Sequence, residues 1–240
     1  MKITFEILKA ITPQGHNDIL MPLADALNKW LPAYHMTDKR IVQCFLAQCD
    51  EETDGQKAQR EYASGKAYEG RKDLGNTQPG DGVRYAGRGE FMITGRANYT
   101  LMGEELGLDL VGHPELLLIV DVAVRAACQY WNDHKLSPLA LAGNFREITH
   151  RINGGYNGEA DREIYWRRCQ KWITEDIDAS IFANPATQLE PQAQTPVPTH
   201  VDTPKPETPP KPPAIAPLPY SVGPLAALIF FLKILFTRKA

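Results

Sequence analysis

The chain has 240 residues, 43% hydrophobic and 23% charged, with a formal net charge of −3. That composition is globular and excludes full-length disorder, a collagen-like repeat and a multi-span membrane protein. The near-neutral, slightly acidic balance gives no electrostatic case for nucleic acid as a partner.

The amino-terminal run MKITFEILKAITPQG carries Glu6 and Lys9 where a secretion signal would be apolar. No conventional signal peptide is therefore expected, and the chain is expected to be made and first folded in a reducing cytoplasm. Leu20, Leu23, Ala24, Leu27 and Leu31 recur at helical spacing. Ile41, Phe45 and Leu46 repeat the pattern behind Thr37, the expected N-cap. Cys44, Cys49, Cys128 and Cys169 have neither CxxC spacing nor histidines at finger-like distances. Reduced, buried thiols are expected rather than a zinc site.

Between Asp54 and Asn98 the helical pattern lapses and glycine becomes dense, from Gly65 to Gly95. A segment that long without periodicity is a candidate functional region, with room for a short hairpin. Helices resume at Val122–Trp131 and Glu159–Ile173, the latter with Tyr165, Trp166, Cys169 and Trp172 as its expected core face. The periodicity as a whole predicts a mainly α domain over residues 1–183.

Twelve of the 19 prolines fall between Pro185 and Pro219, so the chain changes character there. Residues 184–220 are Pro, Thr, Gln and Lys with few large apolar side chains, and read as an extended, disordered linker. Residues 221–240 are different again. Val222 to Phe236 is apolar except for Lys233, and Pro224 suits a first helical turn. A helix there would span about 24 Å, short of the roughly 30 Å hydrocarbon core, with Lys233 able to snorkel. Membrane attachment is the favoured reading, an oligomerisation segment or a helix docked on the domain the alternatives. Arg238 and Lys239 favour a cytoplasmic carboxyl end, which would place the domain on the other side.

Three segments carry candidate chemistry: FLAQCDEETDGQKAQREYASG, AYEGRKDLGNTQPGDGVRYAGRGEFMITGRANY and ITHRINGGYNGEADR. The first places Glu51, Glu52, Asp54 and Glu61 at a helix end and in the glycine-rich stretch behind it. Two carboxyls on a glycine-lined cleft are what acid–base hydrolysis requires, one protonated and one ionised. A solvated acidic helix end is the plainer alternative. GRG in the second segment is no nucleotide loop, because Met92 stands where the third glycine would be. INGGYNG is turn chemistry by default, though Asn153 could also aim an amide at a sugar.

Together and in order, the three segments resemble the lysozyme-like, phage-endolysin branch of glycoside hydrolase family 19, which is related to the family 19 chitinases. The resemblance runs from about Phe5 to Trp172 and implies a two-lobed helical domain with a cleft. It implies that Glu52 is the general acid, Glu61 the general base and Thr94 the hydroxyl that helps hold the attacking water. It makes Asn153 a sugar-binding residue, with Tyr85, Arg88, Tyr99 and Arg162 as further substrate-binding candidates, Arg162 supporting the carboxylates. No metal or organic cofactor is implied. Three positions depart from the family pattern: Glu51 replaces its usual histidine, Asp54 a glycine and Met92 a glutamine.

The function so implied is an inverting peptidoglycan hydrolase, a muramidase used in lysis or wall penetration. Its partners would be bacterial peptidoglycan, a membrane through residues 222–236 and, as a further candidate, a holin, with action at the periplasm and cell wall. A chitinase is one alternative, and a non-catalytic glycan-binding module on a membrane anchor is another.

Overall fold

The computed structural model describes residues 1–182. The expected linker and apolar carboxyl segment lie outside the described residues. Within them the structure is mainly α, as the periodicity predicts.

The chain enters through a short extended stretch pinned by a buried side chain. Asn28 accepts the Ile3 N–H at Oδ1 (2.9 Å) and donates to the Ile3 carbonyl (2.6 Å). Helix α1 (Phe5–Ile11) starts at Thr4, whose hydroxyl accepts the Ile7 N–H. Helix α2 (Asn17–Ala33) buries Leu20, Leu23, Ala24, Leu27 and Leu31, the stripe that the spacing predicts. Helix α3 (Lys39–Glu52) is capped by Asp38, whose carboxylate accepts the Arg40 N–H. The expected cap, Thr37, lies one residue too early. Asp38 also pairs with the Arg40 side chain, which fixes the carboxylate at the helix mouth.

Helix α3 runs through the middle of the body and is buried almost continuously from Ile41 to Asp50. It packs on α7 (Ser137–Leu141), α8 (Phe145–Asn153) and most extensively α9 (Glu159–Trp172). Helix α6 (Val120–Asp133) covers α2 from the other side. The aromatic centre is Phe45, edge-on to Phe91 at 5.6 Å and to Trp131 at 5.5 Å. Edge-to-face pairs of this kind add about 0.5–1.5 kcal/mol to the area they bury. One apolar cluster extends from Ile3 to Ile177 through all these helices.

Helix α9 departs from its expected core face. Cys169 is buried, but Tyr165 and Trp166 are half-buried and Trp172 is 42% exposed. The inward face is instead shared by Cys169 and Arg162, the latter 1% exposed, with Tyr165 and Trp166 packed at its edge. All four cysteines are free and buried, as expected.

Residues 53–95 hold little regular structure. They contain short 3₁₀ turns at Lys66–Tyr68 and Lys72–Leu74 and the one-turn helix α4 (Asp81–Arg84), and lead into α5 (Arg96–Leu106). The expected hairpin is present only in minimal form, a tight turn over residues 87–93 closed by the isolated Arg88–Ile93 bridge, with a second bridge from Arg60 to Arg88. Backbone closeness at Gly65 explains one of the glycines: its φ is +77°, and a Cβ would stand 2.4 Å from the Gly82 carbonyl oxygen. Side chains tie the rest together. The Glu69 carboxylate accepts the N–H groups of Gly80 (2.7 Å) and Gly82 (2.9 Å). Asn76 donates to the Tyr68 carbonyl and accepts the Arg96 N–H, and Arg96 pairs with buried Asp81.

Among the described residues no helix is long and apolar enough to cross a membrane.

Candidate active site

Helix α3 ends at Glu52 and hands over to an unusual turn. The Thr53 hydroxyl donates to the Cys49 carbonyl, and the Gly55 N–H donates to the Asp50 carbonyl. Asp54, Gly55 and Gln56 are then all left-handed, with φ of +53°, +67° and +58°. Asp54 therefore fills a conformation that favours glycine, and aspartate is one of the few other residues that enter it readily. That accounts for its standing where the resemblance expects glycine.

Glu52 is 6% exposed and forms an ion pair with the buried Arg162, Oε1 to Nη2 at 2.5 Å. Arg162 donates from Nη1 to Gln48 Oε1 at 2.5 Å, and Gln48 donates onward to the Thr149 hydroxyl. Its Nε reaches the Asn157 carbonyl, and the Asn157 amide donates to Asn153 Oδ1 at 3.2 Å. One guanidinium thus joins the α3 carboxylate to the loop between α8 and α9. Asn153 is 3% exposed, and its Nδ2 has no hydrogen-bond partner among the described residues. A buried amide donor left open costs about 1–3 kcal/mol unless a ligand or water takes it. Glu51 packs at the amino end of α9: a Cβ on Gly158 would stand 2.4 Å from its Oε1. That is a favourable place for an acid, because helix amino ends carry partial positive charge.

Glu61 is 7% exposed and is held by different elements. Its Oε1 accepts the Gly87 N–H at 2.6 Å and its Oε2 accepts the Tyr68 hydroxyl at 2.8 Å. Its own N–H donates to the Gly87 carbonyl, which registers residue 61 against the hairpin. Thr94 lies beside the same glycine: a Cβ on Gly87 would come within 3.1 Å of Thr94 Oγ1. The Thr94 hydroxyl donates to the Met92 carbonyl at 2.8 Å, so its oxygen keeps acceptor capacity. Met92 itself is left-handed (φ +47°) and 7% exposed, a turn residue rather than a sugar contact.

The structure thus gathers Glu52, Arg162 and Asn153 into one group, and Glu61 and Thr94 into another. The other three substrate-binding candidates, Tyr85, Tyr99 and Arg88, are buried and hydrogen-bonded within the fold. Tyr85 is 1% exposed and donates its hydroxyl to the Val111 carbonyl. Tyr99 is fully buried and donates to the Ala86 carbonyl. Arg88 is 6% exposed and spends Nη1 on the Arg84 and Ala86 carbonyls and the Tyr99 hydroxyl. The three brace the hairpin from inside, with the polar atoms just named turned inward. Two residues with clear places in the site were not singled out from sequence. Gln48 lies four residues before Glu52, on the same helix face, a signal that helix geometry makes available. Tyr68 had no such signal, because only the fold brings it to Glu61.

Among the described residues no group of three or more His, Cys, Asp or Glu is arranged to hold a metal ion.

Residues 31–139 match the family model described as chitinase class I of glycoside hydrolase family 19. That span contains Glu52, Glu61 and Thr94 and stops short of Asn153 and Arg162. A Haemophilus influenzae protein named as a glycosyl hydrolase family 19 domain-containing protein is 36% identical over 103 residues, 42% of this chain and 49% of that one. An Arabidopsis thaliana endochitinase is 35% identical over 118 residues, 49% of this chain and 40% of its own. The chain therefore spans about half the length or less of these two relatives. In three dimensions, chitinase C from Streptomyces griseus superposes with a TM-score of 0.59 at 22% identity, covering 72% of this chain and 93% of that one. The resemblance to family 19 and its chitinases is supported: residues 31–139 match the family model, and the described residues share the chitinase fold.

Proposed function

We propose that the chain is a peptidoglycan hydrolase of the endolysin type. It cuts the β-1,4 bond between N-acetylmuramic acid and N-acetylglucosamine with inversion. The observation that carries this reading is the contrasting support of two buried carboxylates. Glu52 is backed by a guanidinium on α9, and Glu61 by a backbone N–H and a phenol from the glycine-rich segment.

Glu52 protonates the glycosidic oxygen as the bond breaks. Arg162, at 2.5 Å, meets the negative charge left on the carboxylate, so the proton leaves toward the sugar without stranding a buried anion. Glu61 takes a proton from the water that attacks the opposite face of the ring, and the Thr94 oxygen accepts the second hydrogen of that water. Inversion of this kind works with carboxyls roughly 6.5–9.5 Å apart, which leaves room for the water. The open Asn153 amide N–H is suited to an N-acetyl carbonyl, present on both sugars of the wall glycan.

Peptidoglycan is favoured because DLGNTQPGDG resembles the bacterial-wall members of the family. The endochitinase relative supports a second reading, hydrolysis of chitin. The full chain and its Glu52→Gln variant, incubated with purified Gram-negative peptidoglycan and with chitin oligomers, separate the two. New N-acetylmuramic acid reducing ends with the wild type alone establish the muramidase. Cleavage restricted to chitin oligomers establishes the chitinase. Binding without cleavage of either substrate overturns both in favour of a glycan-binding module.

We also infer from the sequence that residues 222–236 hold the chain at a membrane, near the wall. Deleting the residues after Tyr220 should then move the protein from the membrane to the soluble fraction, and unchanged fractionation sinks the idea. A requirement for a holin would appear as lysis by cytoplasmically expressed protein only after the inner membrane is permeabilised.

A further inference from the structure

Two buried acids play no part in the chemistry above. Asp50 and Glu90 are 3% and 1% exposed, and among the described residues no salt bridge reaches either. One side-chain amide joins them. Gln56 Nε2 donates to Asp50 Oδ1 at 3.1 Å and to Glu90 Oε2 at 3.0 Å. A second amide, Gln59 Nε2, donates to Glu90 Oε1 at 2.8 Å. Gln56 and Gln59 lie on the loop that leads into Glu61, whereas Glu90 lies on the hairpin whose Gly87 N–H holds the Glu61 carboxylate. Both oxygens of Glu90 therefore grip the chain just before Glu61. The two backbone bonds that register this loop on the hairpin, Gly89 N–H to the Gln59 carbonyl and Glu61 N–H to the Gly87 carbonyl, flank that grip.

We propose that Glu90 is a positioning residue for Glu61, and that Asp50, reached through Gln56, sets the pH range over which this clasp holds. The proposal rests on the reading of Glu61 as general base. It goes beyond that reading, because neither acid reaches the carboxylates that do the chemistry.

The physical argument is one of charge. The two hydrogens of the Gln56 amide serve one carboxyl each. With one carboxyl protonated, the other charge is met by amide donors. With both ionised, two like charges face each other across a single NH₂ in a water-poor interior, which is costly. Burial pushes Asp50 up to about 8, with Glu90 adding to the shift, and burial also raises Glu90. The other groups facing Asp50 are Cys49 and Glu51 on α3, and Tyr165, Arg168 and Cys169 on α9. Those facing Glu90 are Cys49 and, from α6, Cys128. Burial raises these thiols and the phenol, so they remain neutral across the working range. Arg168 is the one cation in this set, and Glu51 opposes it. As pH rises past the Asp50 transition, repulsion falls on Gln56, whose backbone is already left-handed.

Glu90→Ala should lower kcat about 10- to 100-fold with little change in KM, the scale set by sub-ångström to ångström misplacement of a reacting group. Glu90→Gln should recover most of that loss. Its amide nitrogen can turn toward Gln56 Oε1 or Gln59 Oε1, neither of which has a partner among the described residues. Asp50→Asn should move the alkaline limb of kcat to higher pH. Amide hydrogen exchange in the full chain gives a readout free of activity: in Glu90→Ala, exchange at Glu61 and Gly87 should quicken about tenfold or more, while α2 is unaffected. Leu27→Ala, a cavity in the distant α1–α2 core, controls for lost stability and should leave both amides protected. Wild-type kcat in Glu90→Ala, equal quickening in the Leu27 control, no rescue by glutamine or an unmoved alkaline limb in Asp50→Asn would each overturn the proposal. If the wild type cuts neither peptidoglycan nor chitin, the functional reading fails separately. Exchange at Glu61 and Gly87 then decides whether the clasp exists.

Discussion

The helical body and the glycine-rich segment 53–95 are held by different physics. The body is a sheath of apolar stripes around α3, with Phe45, Phe91 and Trp131 at its centre. The segment is laced by carboxylates, amides and hydroxyls onto backbone groups, as at Glu61, Glu69, Asn76 and Asp81. Burying apolar area is tolerant of direction, whereas a hydrogen bond is not. The body therefore supplies stability and the segment supplies aim. Each half contributes one carboxylate to the site, Glu52 from the rigid end of α3 and Glu61 from the laced segment.

The sharpest separation of the two halves is by their carboxylates. Glu61→Gln and Glu52→Gln should each lower kcat by about 10²–10⁴, the scale of general acid–base catalysis, with the circular-dichroism spectrum unchanged. Arg162→Leu tests the seam between body and site. It leaves Glu52 buried beside no guanidinium and should cost about 3–5 kcal/mol in chemical denaturation. Adding Glu52→Gln should return part of that loss, and strict additivity of the two changes would disprove the coupling. Trp131→Ala probes the body alone: a cavity costing about 3–5 kcal/mol should lower Tm, while kcat at permissive temperature stays close to wild type.

A pH experiment crosses the boundary. Asp50 keeps its proton in the fold up to about 8 but loses it near 3.8 when unfolded. Between those values the folded state binds more protons, so stability should fall as pH rises from about 4 to 8 and level off above. Asp50→Asn should flatten that decline, read as Tm against pH. The smallest effect belongs to the segment. Asn76→Ala strands the Arg96 N–H and the Tyr68 carbonyl and should cost about 1–3 kcal/mol. It should appear first as faster proteolysis between residues 66 and 96 rather than as loss of the whole transition.

Legibility from sequence divides along the same line. The stripe of α2, the core of α3 and the extent of α6 follow from 3.6-residue periodicity, which reports burial directly. Where periodicity misled, at α9, the inward face includes a buried arginine, Arg162, which a reading of apolar residues alone passes over. In the segment there is no period to read. Glycine density marked the region as special, but the partners of Glu61 could not be read there: Tyr68 reaches it across an irregular loop of seven residues, and Gly87 only through long-range folding. Tyr85, Arg88 and Tyr99 show the converse case. Polar and aromatic residues in a motif suggest sugar contact, yet these three brace the motif from within.

The four cysteines carry a practical consequence. They sit on α3, α6 and α9, all buried, and none lies in the glycine-rich segment. Burial pushes the Cys44 thiol up to about 12 and holds the other three above their ordinary value. A thiol so held is nearly inert to alkylating reagents until the surrounding helices part. The molecule thus contains its own chemical clock for opening of the body, one that stays silent while the glycine-rich segment breathes.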